Sequence, residues 1–178
     1  MRDELELEIL IEPGYRLELL AGQLVWDRPA EVAHQRCTRR LQRMLEEYFS
    51  QIDPRGEVLA SVGFGPEDSF LLPDLIYISG EQHQLLRKAF ITEAPTLVAE
   101  ISSPSTREKD SILKFSICER ARVQHFWLLD YAGQRLQCYA LTEKGYALAT
   151  EGANNNILHH PDFAGLSLEL SALWPQGS

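Results

Sequence analysis

Residues 70–78 read Phe-Leu-Leu-Pro-Asp-Leu-Ile-Tyr-Ile, an apolar run with the length of a buried β-strand that a proline and an aspartate interrupt. Aspartate has a poor β propensity and is rarely buried without a partner, and proline cannot donate to a central hydrogen-bond ladder. Asp74 is therefore a candidate functional residue. The alternative is a turn at a strand edge in which Asp74 caps a backbone amide.

The next strongly apolar run ends on a second carboxylate. Residues 96–101 read Thr-Leu-Val-Ala-Glu-Ile, and the two-residue period of a strand would place Thr96, Val98 and Glu100 on one face. A carboxylate among apolar neighbours is costly unless it is paired or binds a cation. Glu100 is a second candidate, with a solvated strand end or a structural ion pair as the alternative.

Further strands and two main helices surround these runs. The first helix is predicted over 31–50 and the second over 109–122, each with apolar residues at 3.6-residue spacing. Strands are predicted over 15–20, 24–26, 58–64, 124–130, 135–141 and 146–150, a short helix over 82–90, and a tail over 163–174 that closes the sheet. This order predicts an α/β (α+β) fold with a central mixed, partly antiparallel sheet flanked by helices.

Lys114 lies on the inward arc of the second helix. On a helical wheel it falls with Asp110, Ile117 and Cys118, away from the other charged residues. An inward lysine needs a partner, and Asp74 and Glu100 are the candidates. The alternative is a snorkelling lysine that covers apolar surface.

The first helix has two contrasting faces. His34 shares a stripe with Cys37 and Leu41 and is predicted to face inward, either as a core histidine or as a site residue. On the opposite side lies a cluster of four arginines, which we name the arginine face: Arg36, Arg39, Arg40 and Arg43. Such a face is either solvated and salt-bridged or contacts phosphate groups.

Composition narrows the class of protein. The chain has 178 residues, is 44% hydrophobic and carries a formal net charge of -9, which fits one domain over 1–178 with an acidic segment at 1–13 and a short tail at 175–178. No apolar run has the length of a membrane span, the first residues are acidic, and three scattered cysteines form no disulfide or zinc pattern. We therefore expect a cytoplasmic protein without membrane contact. Its acidity argues against a surface that binds nucleic acid everywhere.

Two carboxylates on neighbouring strands and a lysine on the next helix suit metal-assisted phosphodiester hydrolysis. Oxygen ligands hold Mg²⁺ or Mn²⁺, and a nearby ammonium can orient water or stabilise developing negative charge. A binding module for a small anion is a rival interpretation, but the sequence has neither of the common glycine-rich phosphate loops.

Several segments together resemble a known family. They are Pro73-Asp74-Leu75, residues 97–106 (Leu-Val-Ala-Glu-Ile-Ser-Ser-Pro-Ser-Thr), Lys109-Asp110 with Lys114, and residues 126–130 (Phe-Trp-Leu-Leu-Asp). They look like the Uma-two family of putative restriction endonucleases, within the PD-(D/E)XK nuclease superfamily. The similarity runs from about Tyr15 to Trp174 and includes residues 15–22 and His34.

The resemblance implies a restriction-endonuclease-like domain and a Mg²⁺-dependent endodeoxyribonuclease. Asp74 and Glu100 would bind Mg²⁺ or Mn²⁺ with the carbonyl of Ile101 as a third ligand, and Lys114 would replace the usual lysine, because Ser102 occupies that lysine's place. Three further residues are implied as possible site members: Glu18, Glu31 and His34. DNA is the implied substrate, with the arginine face as candidate phosphate contacts, and a homodimer is expected because one site cleaves one strand.

The chain also departs from the family pattern. Ala21, Cys118, Arg122 and His125-Phe126 stand where other residues are common in the family, but none of these positions is Asp74, Glu100 or Lys114. The alternative function is a catalytically inactive scaffold or interaction domain that keeps the nuclease fold, with the carboxylates in a structural ion pair with Lys114.

Overall fold

A six-stranded mixed sheet forms the centre of the structure. The computed structural model describes residues 15–27, 30–102 and 110–175. The strands of the sheet lie in the order β3-β4-β5-β6-β7-β8. Their bounds are Glu57–Ala60 (β3), Leu75–Ile78 (β4), Leu97–Ser102 (β5), His125–Asp130 (β6), Arg135–Thr142 (β7) and Gly145–Ala153 (β8). β5 and β6 are parallel and the other neighbours are antiparallel, so the predicted mixed sheet is confirmed.

An antiparallel hairpin, β1 (Arg16–Leu20) and β2 (Gln23–Asp27), precedes the first helix, as the sequence predicts. Helix α1 spans Val32–Ile52, and its inward stripe is buried at Cys37, Thr38, Leu41, Leu45 and Phe49. A 3₁₀ helix follows β4 at Gly80–Arg87, where the short helix over 82–90 is predicted. A π-helical turn over Asp110–Lys114 leads directly into α2, Phe115–Arg120. The predicted start of that helix at Lys109 and the Ser-Pro-Ser-Thr motif at 103–106 lie outside the described residues.

The sheet carries a hydrophobic core on each face. On β5, Leu97, Ala99 and Ile101 pack into the cluster that contains the buried stripe of α1, while Val98 packs into the cluster that contains Ile117 and Cys118 of α2. Every residue of β5 is buried, because helices cover both faces of this central strand. The alternation of side chains along β5 therefore directs Glu100 toward α2.

The predicted strand over 70–78 is two pieces. Phe70 and Leu71 make isolated bridges to Leu19 and Phe64, and continuous pairing resumes only at Leu75. The proline and aspartate between them, Pro73 and Asp74, explain the interruption, because proline has no N–H for the ladder. The predicted strand over 58–64 also ends early, at Ala60, since Ser61 adopts a left-handed backbone conformation.

The prediction that the tail closes the main sheet is wrong. Its strand, β10 (Ser167–Glu169), pairs with β9 (Ile157–His159) in a separate two-stranded sheet. The apolar residues of the tail are buried in the core on the α1 side: Leu166, Leu168, Leu170, Leu173 and Trp174. The alternating apolar residues of the tail thus pack into the core on one face of the main sheet and do not add a strand to it.

Candidate active site

Asp74 lies beside Glu100 because of the register between β4 and β5. Leu75 pairs with Ala99, and one further step of the same antiparallel register sets Asp74 opposite Glu100. Asp74 is only 5% exposed. The two carboxylates that the sequence singles out are therefore neighbours across two central strands.

Three donors surround the Asp74 carboxylate. Oδ2 accepts hydrogen bonds from the backbone N–H of Ile101 at 2.9 Å and from His34 Nε2 at 3.0 Å. Arg16 Nη1 lies 3.4 Å from Oδ1. Burial by itself would raise the pKa of Asp74, but the bonds from His34 and Ile101 and the charges of His34 and Lys114 outweigh it and hold the pKa below its usual value. Asp74 is therefore ionised at neutral pH.

Lys114 bridges two buried carboxylates. Its Nζ lies 3.1 Å from Glu18 Oε2 and 3.2 Å from Glu100 Oε2, and the side chains of the three residues are between 1% and 5% exposed. Glu18 Oε1 also accepts a hydrogen bond from the backbone N–H of Leu72 at 2.6 Å. The prediction that Lys114 faces inward is confirmed, although its second partner is Glu18 and not Asp74.

Four elements converge to build this cluster. The hairpin strand β1 supplies Glu18 and Arg16, the segment before β4 supplies Asp74, β5 supplies Glu100, and the π-helical turn supplies Lys114. Leu19 of β1 exchanges two backbone hydrogen bonds with Phe70, which anchors the hairpin beside the 70–78 segment. This anchoring brings Glu18 next to Lys114.

His34 reaches the site from the first turn of α1. Since a carboxylate only accepts, His34 Nε2 donates its N–H to Asp74. Its Nδ1 is buried and has no hydrogen-bond partner among the described residues. The ring is thus fixed through Nε2 at the Asp74 carboxylate.

Two other predicted residues have partners of their own. Glu31 Oε2 accepts a hydrogen bond from the Tyr131 hydroxyl at 3.0 Å, and burial, followed by this bond, raises the pKa of Tyr131 to about 12. Ile101, whose carbonyl is the predicted third ligand, lies in β5 opposite Leu129 of β6. Its N–H, not its carbonyl, makes the described contact with Asp74.

The arginine face lies on the opposite side of α1 from His34. Arg36, Arg39 and Arg43 are exposed. Arg40 is half-buried, and its guanidinium donates to the backbone carbonyls of Leu173 and Trp174, so it ties the tail to α1. DNA that bound both the arginine face and the carboxylates would have to pass over the outer side of α1.

Sequence reasoning missed Arg16 and Ser61. Arg16 contacts Asp74 and lies 3.4 Å from the Ser61 hydroxyl through Nη2. A signal for Arg16 was present, because Arg16 and Glu18 are two residues apart on a predicted strand and so share a face. Ser61 carries no such signal, since only the fold brings its turn to the hairpin.

The donor set fits a hard divalent cation. Three buried carboxylates, Glu18, Asp74 and Glu100, converge with two permanently cationic side chains, Arg16 and Lys114. Carboxylate oxygens are the ligands that Mg²⁺ and Mn²⁺ prefer. Asp74 and Glu100 are the pair that adjoins across the strands.

Comparison with known proteins identifies relatives of the whole fold. The model of the Uma2 family, described as "Putative restriction endonuclease", matches residues 3–171. A crystal structure of a putative nuclease belonging to DUF820 from Anabaena variabilis ATCC 29413 matches with a TM-score of 0.74 at 16% identity, over 89% of each chain. A comparison with curated proteins found no match. Among the residues that the structure describes, no helix has the length and apolarity needed to cross a membrane.

Proposed function

The chain belongs to the Uma2 family of putative restriction endonucleases, and from this membership and the buried acid–lysine cluster we propose that it is a metal-dependent endonuclease that hydrolyses DNA phosphodiester bonds. The observation that carries the proposal is the convergence of Glu18, Asp74, Glu100 and Lys114 at one place in the core. Burying four charged side chains together costs folding free energy, and such clusters of buried ionisable groups are typical of functional sites.

Asp74 and Glu100 would hold Mg²⁺ or Mn²⁺. When bound, the cation would neutralise charge on the phosphate and lower the pKa of an attacking water. The Ile101 N–H and His34 fix the orientation of the Asp74 carboxylate. Its low pKa keeps it available as an anionic ligand at neutral pH.

Lys114 would act on the water or the phosphate. Its ammonium already donates toward Glu18 and Glu100, and an ammonium has three N–H groups. An ammonium in this position can orient a nucleophilic water or stabilise the developing negative charge. Glu18 would hold the ammonium in place, because it is itself fixed by the Leu72 N–H.

Arg16 would exchange partners when substrate binds. Its distance of 3.4 Å from Asp74 is longer than a strong charge-assisted hydrogen bond, and its side chain is 27% exposed. The guanidinium would then turn from Asp74 to a phosphate oxygen of the substrate. Arg16 is thus a better placed phosphate ligand than the arginine face.

Cleavage of supercoiled plasmid tests the proposal. The wild-type chain should cleave the plasmid with Mg²⁺ or Mn²⁺ and not with EDTA, and Asp74→Asn, Glu100→Gln and Lys114→Met should each reduce the rate at least about 100-fold. Glu151→Gln is the matched control, because Glu151 is a surface acid bonded to Arg135. An inactive wild-type chain, or activity unchanged in Asp74→Asn, would contradict the proposal.

A non-catalytic scaffold is the second candidate, and one observation favours it. The described contacts give a cationic partner to each carboxylate of the cluster without any metal: Arg16 for Asp74, and Lys114 for Glu18 and Glu100. A ligand that binds only the folded state must raise its melting temperature. A melting temperature that Mg²⁺ and Mn²⁺ leave unchanged would therefore favour the scaffold over the nuclease.

We further propose a cytoplasmic homodimer as the working form. All three cysteines, Cys37, Cys118 and Cys138, are free and buried, which fits a reducing compartment. One acid cluster per chain would cut one strand, so cutting both strands would need two chains. The apolar residues of the tail at 166–174 are buried in the chain's own core and do not supply a dimer surface.

A further inference from the structure

A second group of metal-binding side chains lies at the other end of β6. His125 begins β6, while His160 and Asp162 follow β9. His125 pairs with Leu97, three positions before Glu100 on the parallel neighbour, so the group lies about 10 Å along the sheet from the acid cluster. It also lies on the α1 side of the sheet, because His125 alternates with Phe126 and shares a face with Trp127.

The three side chains converge. One ligand atom from each lies within 4.8 Å of the other two. His125 Nδ1 is 3.9 Å from Asp162 Oδ2, and the two imidazole rings meet edge to face with centroids 5.5 Å apart. Tetrahedral zinc with bonds of 2.0–2.1 Å sets its ligands about 3.3 Å apart, so closure requires only a small inward movement.

The histidines are buried with unused ring nitrogens. His125 is 8% exposed and His160 is 4% exposed. His125 Nδ1 and His160 Nε2 have no hydrogen-bond partner among the described residues. A buried polar atom without a partner is costly, and two of them in one group of potential metal ligands point to a missing ligand.

The surroundings suit a transition metal. Trp127 stacks on His160, and Phe163 packs against both histidines, so the imidazoles are held in an apolar shell. The Asp162 side chain is 49% exposed and provides a path from solvent.

We propose that His125, His160 and Asp162 form a second metal site, which binds Zn²⁺ through two imidazoles and one carboxylate. This donor set, with water in the fourth position, is typical of zinc. Binding at His160 Nε2 moves the ring proton to Nδ1, which now accepts the Asp162 N–H at 3.1 Å, so that hydrogen bond opens on binding. The site fastens β6 to the segment between β9 and β10, away from the acid cluster.

Cobalt spectroscopy and melting curves test the second site without reference to nuclease activity. The experiment uses the full chain with Asp74→Asn. This substitution removes a proposed ligand of the acid cluster, so that the cluster does not compete for the added metal. In this background we expect one equivalent of Co²⁺ to give the visible absorption bands of a four-coordinate ion, Zn²⁺ to abolish them, and Zn²⁺ to raise the melting temperature.

Single replacements within the group decide the assignment. Asp162→Asn changes a half-exposed side chain and keeps its size, and it should weaken Co²⁺ binding at least about 10-fold, as should His125→Gln. His83→Gln is the matched control, because His83 is exposed on the 3₁₀ helix. Absence of the bands in the Asp74→Asn background, or equal binding after Asp162→Asn, would overturn the proposal.

Discussion

At the scale of single residues, Lys114 contributes a positive charge beside two buried carboxylates, Glu18 and Glu100. Removal of one member of a buried ion pair leaves an uncompensated charge, which costs about 3–5 kcal/mol. Lys114→Met keeps most of the side chain's length and removes the ammonium beside Glu18 and Glu100. We expect this variant to lose about 3–5 kcal/mol of unfolding free energy, as measured by urea denaturation at pH 7.

A compensating variant separates charge from packing. Glu18→Gln added to Lys114→Met removes one of the two carboxylates and should recover part of the loss. If Lys114→Met alone lowered the unfolding free energy by less than about 1 kcal/mol, water would have to reach the cluster. That result would contradict a buried ion pair.

Asp53 lies at the end of α1 and links three secondary-structure elements: α1, β4 and the 3₁₀ helix that follows β4. Its Oδ2 accepts hydrogen bonds from the Tyr77 hydroxyl of β4 and from the N–H of Gly80, the first residue of the 3₁₀ helix. These bonds hold the pKa of Asp53 below its ordinary value of 3.8. Tyr77 also stacks on Phe49 of α1, with ring centroids 3.6 Å apart.

The sign of the pH dependence follows from that lowered pKa. A carboxyl group whose folded-state pKa is depressed stabilises the fold above its unfolded pKa, and the contribution is lost as pH falls through the folded value. Asp53→Asn should therefore cost about 1 kcal/mol in urea unfolding at pH 7 and less at pH 3. An equal cost at both pH values would assign the effect to something other than the charge. Tyr77→Phe is the matched variant, because it keeps the ring and removes the hydroxyl.

The local sequence pattern predicted the individual helices and strands better than it predicted which of them contact one another. The apolar runs around Asp74 and Glu100 and the inward position of Lys114 follow from periods of two and 3.6 residues, and the structure has them there. The pairing of Glu18 with Lys114 and the contact of Arg16 with Asp74 join residues 96 and 58 positions apart, which no local period encodes. The tail was misplaced for the same reason, since its alternation predicts a strand but not its partner.

At the scale of the whole molecule, acidity sets the expected mode of DNA binding. The net charge of -9 repels a polyanion, and three of the four residues of the arginine face are exposed on the outer side of α1. If the chain is the proposed endonuclease, its affinity for DNA should come from few phosphate contacts and from the proposed cation. Local attraction near Arg16 would then matter more than any general basic surface.

The proposed dimer makes a direct prediction about mass. Light scattering after size exclusion should give twice 20.3 kDa for the chain at micromolar concentration. A homodimer is expected because each chain carries one acid cluster and a duplex has two strands. A mass of 20.3 kDa at all concentrations, with or without DNA, would contradict it and would predict nicked rather than linear plasmid.

Anomalous scattering from crystals soaked in MnCl₂ would locate the proposed divalent cation. We expect an anomalous peak between the carboxylates of Asp74 and Glu100, present in Asp162→Asn crystals and absent from Glu100→Gln crystals. No peak at that position, with Lys114 still bridging Glu18 and Glu100, would rule out the proposed metal site.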